Sequence, residues 1–217
     1  MSNDPSARRP LKSRGTAWAQ FFSRAMLGIG LKPNSVSLLS LVCAAIGGAS
    51  AWHASQLGSS PGFWFLAATG IQLRLFCNLM DGMLAVEGGL KSPTGELFNE
   101  IPDRIADALI LVPLGYATHT DLGIALGWSA AVGAVFTAYI RAVGASLLHK
   151  HDFCGPMAKP HRMAAATLGC LGTLVLRWLH VDVPLILWTI VVINTGIVIT
   201  SWRRIAHLAT ALRQPQS

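Results

Sequence analysis

Polar and charged side chains recur at helical spacing between Arg74 and Asp107, within a chain that is otherwise strongly apolar. The first half of this stretch has its members at helix positions i, i+3, i+4 and i+7: Asn78, Asp81, Gly82 and Ala85. The second half repeats every fourth residue: Gly95, Asn99, Asp103 and Asp107. Residues three and four apart lie on one face of a helix. The stretch therefore predicts two consecutive helices, each with a polar face.

The composition of the chain indicates a membrane protein. Of its 217 residues, 52% are hydrophobic and 12% are charged, and the mean hydropathy is +0.49. Soluble domains carry about 25% charged residues. The apolar residues also form long blocks, which favours membrane-spanning helices over one large soluble core. We expect an all-α integral membrane fold.

Six transmembrane helices are predicted in a domain of residues 33–213. Their approximate ranges are 35–55, 63–86, 95–117, 122–148, 162–180 and 184–201. The preceding segment, 15–32, has aromatic residues on one side and is interrupted by Arg24, which is typical of an amphipathic juxtamembrane helix lying at the interface. Residues 1–14 are basic and proline-containing, and we interpret them as a disordered tail.

Basic residues alternate between the connections of these helices. Lys and Arg occur before the first span, in the central turn at Lys91, in the loop at Lys150 and at the end of the chain. The connections near 55–62, 118–122 and 180–184 have none. This positive-inside pattern predicts cytoplasmic termini, in a membrane that we expect to be the bacterial inner membrane. It also argues against nucleic-acid binding, because the basic residues lie at span ends and not along one soluble face.

Carboxylates within the predicted spans indicate a functional site. A charged carboxylate in a membrane costs about 2.5–3.5 kcal/mol on insertion scales and usually faces an interior or an aqueous cavity. Arg74 and Arg104 could act as counter-ions, the acids could be protonated, or a divalent metal could bind. Oxygen ligands favour a hard cation such as Mg²⁺, Mn²⁺ or Ca²⁺.

Small residues accompany the acids on the same faces. Gly82 and Ala85 lack bulk beside Asp81, and Gly95 begins the next helix. These residues predict a cleft next to the carboxylates, with a cytoplasmic mouth that carries Lys and Arg. Mg²⁺ is commonly held by carboxylates together with substrate phosphates, so the pattern suggests a phosphate-bearing substrate.

The spacing resembles the signature of the CDP-alcohol phosphatidyltransferase family, D-x2-D-G-x2-A-R-x8-G-x3-D-x3-D. All the gaps match in this chain, and five of the eight signature residues are retained, in the series Asn78, Asp81, Gly82, Ala85, Val86, Gly95, Asn99 and Asp103. An N-terminal amphipathic helix and six spans also resemble that family. A gapped pattern of this length is a much stronger signal than a lone glycine motif.

The resemblance implies transfer of a substituted phosphate from a CDP-alcohol to an acceptor hydroxyl, with release of CMP. It implies Asp103 as the general base and a Mg²⁺ or Mn²⁺ shell, and neighbouring acids could complete that shell; the predicted ligands are Asn78, Asp81, Asn99, Asp103, Glu100 and Asp107. The predicted substrate-binding residues, which include candidates for an acceptor's phosphate, are Gly82, Ala85, Gly95, Arg74, Arg141 and Lys159. We expect CDP-diacylglycerol as donor, a polar alcohol as acceptor, contact with membrane lipid, and a homodimer.

Three departures leave alternatives open. Asn78 and Asn99 replace family acids, and Val86 replaces the family arginine. With fewer carboxylates the site would hold one metal ion, or two if nearby acids take part. A catalytically degenerate homologue is the first alternative to an active transferase. A cation- or proton-coupled transporter is the second, since intramembrane acids also line ion pathways.

Overall fold

A computed structural model describes residues 15–90, 94–148 and 152–213 of the chain. These residues form helices and connecting turns, with no strand among them. The helices in chain order are α1 (Ala17–Gly28), α2 (Pro33–Ala54), α3 (Gly62–Glu87), α4 (Gly95–Tyr116), α5 (Asp121–Leu148), α6 (Lys159–Trp178) and α7 (Leu185–Arg213). The predicted all-α class is confirmed.

Four of these helices, α2, α3, α5 and α7, are long and apolar enough to cross a membrane. Large apolar side chains on their outer surfaces are exposed, for example Phe65 at 60%, Val132 at 66% and Val198 at 67%. An exposed apolar surface around a bundle is unfavourable in water and favourable in lipid. The chain is an integral membrane protein. The two further predicted spans correspond to α4 and α6, which are not among these four helices, and the count of six stays a prediction.

Six helices pack into a closed ring. Around the ring the order is α2, α4, α5, α7, α6 and α3, with α3 returning to α2, while α1 packs against α3 from outside. Consecutive helices run in opposite directions, so the N-terminus of α2 and the C-terminus of α3 lie at one end, called here the lower end. The upper end holds the connections α2–α3, α4–α5 and α6–α7. Each polar face of the sequence motif can thus point into the ring.

Glycines bring the helix backbones together in the upper part of the ring. A Cβ added at Gly48 would lie 1.9 Å from the carbonyl oxygen of Leu109 on α4, and one at Gly70 would lie 2.7 Å from the backbone of Gly47. Small residues let membrane helices approach closely, where van der Waals packing drives their association. This dry packing fixes α2 against α3 and α4.

The helix bounds differ from the predictions mainly at the lower end. Helix α7 continues to Arg213 instead of ending near residue 201, and α6 begins at Lys159 instead of residue 162. Both extensions contain basic residues, which lower their hydropathy, although the helix continues through them. A helix is present at Ala17–Gly28 within the segment predicted to be juxtamembrane. The predicted tail 1–14, with Lys91 and Lys150, lies outside the described residues.

Candidate active site

A cavity of about 810 Å³ lies inside the ring and opens at the lower end. Helix α3 supplies one long wall, from Phe65 to Gly82, and its neighbour α6 supplies a second wall from Lys159 to Leu171. Helices α4 and α5 complete it with Asn99, Glu100, Asp103, Arg104, Thr137 and Arg141. The predicted acidic faces of α3 and α4 therefore meet at one cavity.

Asp103 lies in the centre of the polar cluster and is 3% exposed. Its Oδ1 accepts hydrogen bonds from Asn78 Nδ2 at 2.8 Å and from Arg74 Nη2 at 3.4 Å. Its Oδ2 accepts from Arg104 Nη2 at 3.4 Å and also contacts Lys159 Nζ. Both oxygens of this carboxylate are thus occupied, and three of the four donors carry positive charge.

Asp107 lies one helical turn further along α4 and is completely buried. Its Oδ1 accepts from Arg74 Nη2 at 2.7 Å, and its Oδ2 accepts from Arg162 Nη2 at 2.7 Å. Arg162 also donates to the carbonyl oxygen of Met157 at 3.0 Å. Because each oxygen bonds an arginine from a different helix, Asp107 joins α3, α4 and α6.

Asp81 has a different environment, since its described side-chain partner is neutral. Ser37 Oγ on α2 donates to Asp81 Oδ2 at 2.7 Å. Asp81 is 4% exposed and lines the cavity together with its neighbour Gly82. Of the three buried carboxylates Asp81, Asp103 and Asp107, Asp81 is the one with no described ion pair, so it can take a new cationic partner most easily.

Glu100 extends the acidic face of α4 toward the cavity mouth. Arg141 Nη2 on α5 lies 2.6 Å from both Glu100 oxygens, and Arg104 Nη2 lies 3.7 Å from Oε2. The Glu100 side chain is 44% exposed, so solvent screens this pair more than the buried ones. Asn99 is exposed and lines the same mouth.

Basic side chains form the opposite side of the polar region. Arg141, Lys159 and Arg204 line the cavity from α5, α6 and α7. Arg204 donates to the carbonyl oxygens of Thr137 at 2.6 Å and Cys154 at 3.0 Å, which holds it in place without a carboxylate partner among these bonds. This side of the cavity is suited to an anionic group.

The rest of the cavity is largely apolar. Its lining includes Phe65, Ala68, Leu73 and Leu171 toward the upper end, and the stacked pair Trp18 and Phe76 where α1 packs on α3. Phe65 and Leu73 are 60% and 48% exposed on the outer surface, so this part reaches the lipid-facing side of α3. Gln72 Nε2 donates to Thr167 Oγ1 at 2.8 Å and links α3 to α6 within it. One continuous space therefore connects a charged region to the surrounding lipid.

The oxygen ligands present fit one divalent ion better than two. The Asp81 carboxylate is in no described ion pair, and the amide oxygen of Asn78 is not used in its bond to Asp103. Asp107 is enclosed by two arginines, and Asp103 is surrounded by donors. Hard cations need several oxygen ligands, and binding of a second ion here would require some of those donors to leave.

The predicted site residues separate into two groups. The cavity lining contains most of them: Asn78, Asp81, Gly82, Asn99, Glu100, Asp103, Arg141 and Lys159. Four others are not part of that lining: Arg74, Ala85, Gly95 and Asp107. Arg74 is fully buried in ion pairs with Asp103 and Asp107. The predicted roles of these four in binding metal or substrate stay predictions.

Ser37 and Arg204 were not predicted as site residues, and Arg162 was considered only as a candidate for binding an acceptor's phosphate. The positive-inside pattern accounts for Arg162 and Arg204 equally well as membrane anchors, which obscured them. The spacing of Arg162 three residues after Lys159 was a usable signal, because the two share a helix face. Nothing in the sequence distinguishes Ser37 from the other serines of α2.

A second small cluster lies beside the cavity in the α5–α6 connection. Asp152 contacts Cys154 Sγ at 3.2 Å and His207 Nδ1 at 3.3 Å. Partial burial opposes ionisation, but hydrogen bonds from Cys154 and the nearby His207 lower the pKa of Asp152 below its usual value. Burial, then the bond to Asp152, raises the pKa of the Cys154 thiol to about 11. This thiol is protonated at neutral pH and is not an activated nucleophile.

Solved structures with the same fold are phosphatidylinositol phosphate synthases of Mycobacterium tuberculosis. One, with CDP-DAG bound, is 20% identical and has a TM-score of 0.71, covering 90% of this chain and 95% of that chain. Another, in complex with manganese and citrate, is 20% identical with a TM-score of 0.71, covering 88% of this chain and 89% of that chain. At this identity the likeness establishes the fold.

A curated relative shares more sequence over a shorter segment. The bifunctional IPC transferase and DIPP synthase of Rubrobacter xylanophilus is 36% identical over 118 residues, which is 54% of this chain. The matched segment spans a quarter of that relative's length, since it covers 25% of it. No family model matches the chain. The chain thus shares its fold with these synthases and part of its sequence with this relative, in agreement with the resemblance indicated by the motif.

Proposed function

We propose that this chain is a metal-dependent transferase of phospholipid synthesis. It transfers a phosphatidyl or similar substituted phosphate group from a CDP-alcohol to an acceptor hydroxyl and releases CMP. The proposed donor is CDP-diacylglycerol, which enters the cavity sideways from the bilayer. A polar alcohol reaches the cavity from the cytoplasm.

The observation that carries this proposal is the two-part cavity. Its lower part joins Asp81, Gly82 and Asp103 to several cationic side chains, and its upper part is apolar and reaches the lipid-facing surface of α3. A donor with a pyrophosphate head and acyl chains has the same division of polarity. The structural relative with CDP-DAG bound supports this choice of donor.

A single Mg²⁺ or Mn²⁺ ion is proposed at Asp81 and Asn78, with Asn99 and one oxygen of Asp103 as further candidate ligands. The manganese-containing structural relative supports a divalent ion. The chemistry that the ion supplies when bound is polarisation of the phosphoryl oxygens and stabilisation of the leaving phosphate. Gly82 leaves room beside Asp81 for the nucleotide, a role that we extend to Ala85 and Gly95.

Asp103 is the proposed general base. A base must lie within hydrogen-bond reach of the proton that it removes, and both Asp103 oxygens accept hydrogen bonds in the resting arrangement. One donor must therefore withdraw before the acceptor hydroxyl can bond to Asp103. Lys159 is suited to this movement, because its side chain is flexible and 25% exposed at the cavity.

The acceptor is proposed to bind at the basic side of the cavity. Arg141 and Arg204 converge there from α5 and α7, beside Lys159 of α6. Arginine forks match the geometry of phosphate oxygens, so an acceptor alcohol that carries a phosphate fits this side best. Glu100 already pairs with Arg141 and orients it toward the cavity.

The proposed membrane arrangement has six spans and cytoplasmic termini. Helices α4 and α6 complete the ring with the four apolar helices, and five of their charged residues line the cavity: Glu100, Asp103, Arg104, Lys159 and Arg162. Helix α1 is proposed to lie at the interface, because Phe21 and Phe22 are 69% and 44% exposed. A bacterial inner membrane and a homodimer remain part of the proposal.

One specific observation favours a second candidate, a degenerate relative that has lost transfer activity. Asn78 and Asn99 carry no charge, and Asp103 is enclosed by cationic donors. Such a protein would bind a CDP-lipid without turning it over. A coupled transporter has less support, because the polar residues form one closed cluster instead of continuing through the ring.

The test is incubation of the purified full-length chain with CDP-diacylglycerol, Mg²⁺ or Mn²⁺ and a panel of alcohols and alcohol phosphates. We expect metal-dependent release of CMP and a new phospholipid, identified by mass. Asp103→Asn should lower the rate by about 10²–10⁴-fold, the usual contribution of a general base. The control is Asp182→Asn at an exposed position of the upper end, which should not change the rate.

Three results separate the candidates. CDP-lipid binding without CMP release with any acceptor would indicate the degenerate relative. No binding of CDP-lipid at all would overturn the proposed function. An Asp103→Asn variant with unchanged activity would overturn the base assignment and leave the reaction class standing.

A further inference from the structure

The site contains an unusual excess of positive charge before any metal binds. Of the described side chains, three carboxylates lie in the buried cluster: Asp81, Asp103 and Asp107. Four cations form ion pairs with Asp103 or Asp107: Arg74, Arg104, Lys159 and Arg162. Glu100 and Arg141 add one charge of each sign, and Arg104 links this pair to the cluster. The cluster therefore carries one excess positive charge without metal.

The excess of positive charge is related to the two asparagines of the motif. Asn78 and Asn99 stand where the family pattern has acids, which removes two negative charges from the ligand set. Asn78 donates its amide N–H to Asp103, where a carboxylate would instead repel it. Two divalent ions in this setting would add positive charge to a buried cluster that already has too much of it.

Among the four cations, Lys159 is the one that could take the place of a bound metal ion. Arg74 and Arg162 are fully buried and bound to Asp107, and Arg104 lies on the same helix as its partner. Lys159 comes from the first turn of α6, contacts Asp103 Oδ2, and lines the cavity. An ammonium is a compact point charge, unlike the planar guanidinium, and so resembles a bound cation most closely.

We propose that Lys159 supplies the positive charge that a second divalent ion would otherwise provide, so that the site binds one ion. Its ammonium group neutralises Asp103 in the free protein and then contacts the phosphate of the bound nucleotide. Lys159 thus changes partners from carboxylate to phosphate during binding, which also frees Asp103. The inference rests on the proposed function for the identity of the nucleotide, but the ion count does not depend on it.

The first test counts ions without measuring turnover. The purified full-length chain in detergent is titrated with Mn²⁺, and free Mn²⁺ is followed by electron paramagnetic resonance. We expect one bound ion per chain for the unmodified protein and for Lys159→Gln. We expect two for Asn78→Asp/Asn99→Asp/Lys159→Gln, in which both acids are restored and the ammonium is removed.

A second variant gives an independent result in case the triple variant does not fold. Asn78→Asp/Asn99→Asp retains Lys159, which competes with the second ion. We expect the second Mn²⁺ to bind this variant at least tenfold more weakly than it binds the triple variant. If the triple variant does not fold, a single tight ion in the double variant supports the inference. Two equally tight ions in the double variant overturn it, as would two ions or none in the unmodified chain.

The phosphate contact is tested by CMP binding in the presence of one equivalent of Mn²⁺. Lys159→Gln should weaken CMP binding at least tenfold, and Lys159→Arg should restore most of the loss. The matched control is Arg177→Gln, which removes a positive charge near the other end of the same helix. Equal effects of Lys159→Gln and Arg177→Gln would overturn the contact. Absence of lipid product in the unmodified chain would overturn the transferase instead and leave the ion count as measured.

Discussion

Different interactions hold the helices together in the upper and lower parts of the ring. In the upper part, α2 packs against α3 and α4 through Gly47, Gly48 and Gly70 with almost no space between the backbones. In the lower part the helices are joined by buried ion pairs around Asp103 and Asp107. Backbone packing tolerates no alternative arrangement, whereas ion pairs can exchange partners. The molecule thus combines a rigid half with a half whose charges can regroup around a substrate.

The largest expected effect comes from breaking one ion pair of the lower part. Arg162→Met leaves Asp107 Oδ2 buried without its partner, and removal of one member of a buried pair costs about 3–5 kcal/mol. We expect a marked loss of thermal stability, measured in detergent by intrinsic tryptophan fluorescence. The double variant Arg162→Met/Asp107→Leu should recover part of the loss, since no unpaired carboxylate remains. A double variant as unstable as the sum of both single variants would contradict this view of the pair.

A smaller effect is expected in the upper part. Gly48→Ala adds a Cβ that would lie 1.9 Å from the Leu109 carbonyl oxygen, so α2 and α4 must move apart. Overpacking of this kind costs about 1–3 kcal/mol. The same fluorescence measurement should show a lower melting temperature. Gly28→Ala is the matched control, because a Cβ there meets nothing within 4 Å, and its stability should not fall.

CMP binding measured on both the upper-end and the lower-end variants tests whether packing at the upper end affects the site at the lower end. Where Gly48→Ala still folds, its CMP affinity should fall, because α2 carries Ser37, the partner of Asp81, at the cavity. An unchanged affinity would mean that the two ends are independent of each other. That result would contradict the view that rigid packing of α2 maintains the geometry of the site.

The smallest effect is expected at the exposed cluster of Asp152 and His207. Because the folded protein lowers the pKa of Asp152, its ionised form adds stability above the unfolded pKa of about 3.9, and this stability is lost as pH falls through the folded value. Exposed pairs contribute under about 1 kcal/mol. Asp152→Asn should therefore lower the melting temperature slightly at pH 7. The difference from the unmodified chain should persist down to about pH 4 and shrink below it; a difference that grows on acidification would contradict the assignment.

The sequence predicted the facing polar helices because periodicity is a local property. The spacing of Asn78, Asp81, Asn99 and Asp103 determines one face on each of two consecutive helices, and a short connection brings those faces together. Hydropathy likewise identified the apolar helices, since each span has its own composition. The helix ends were less accurate: polar residues conceal the last turns of α7 and the first turn of α6.

Long-range pairing could not be predicted in the same way. Asp107 and Arg162 are 55 residues apart, and no pattern in the sequence selects this partner from the other basic residues near span ends. The positive-inside rule gave Arg162 and Arg204 a sufficient explanation as anchors. Only the order of helices around the ring brings α6 and α7 to the acidic face of α4. Tertiary arrangement, not composition, separates anchor residues from site residues.

The length of α7 sets the depth at which the chemistry takes place. Trp202 on this helix is 73% exposed, and such tryptophans favour the level of the lipid headgroups. Arg204 is buried at the cavity only two residues further, which is about 3 Å along the helix axis. The polar part of the cavity that contains Arg204 thus lies at the level of the phospholipid phosphates. A lipid donor would reach it by lateral diffusion, without being lifted out of the bilayer.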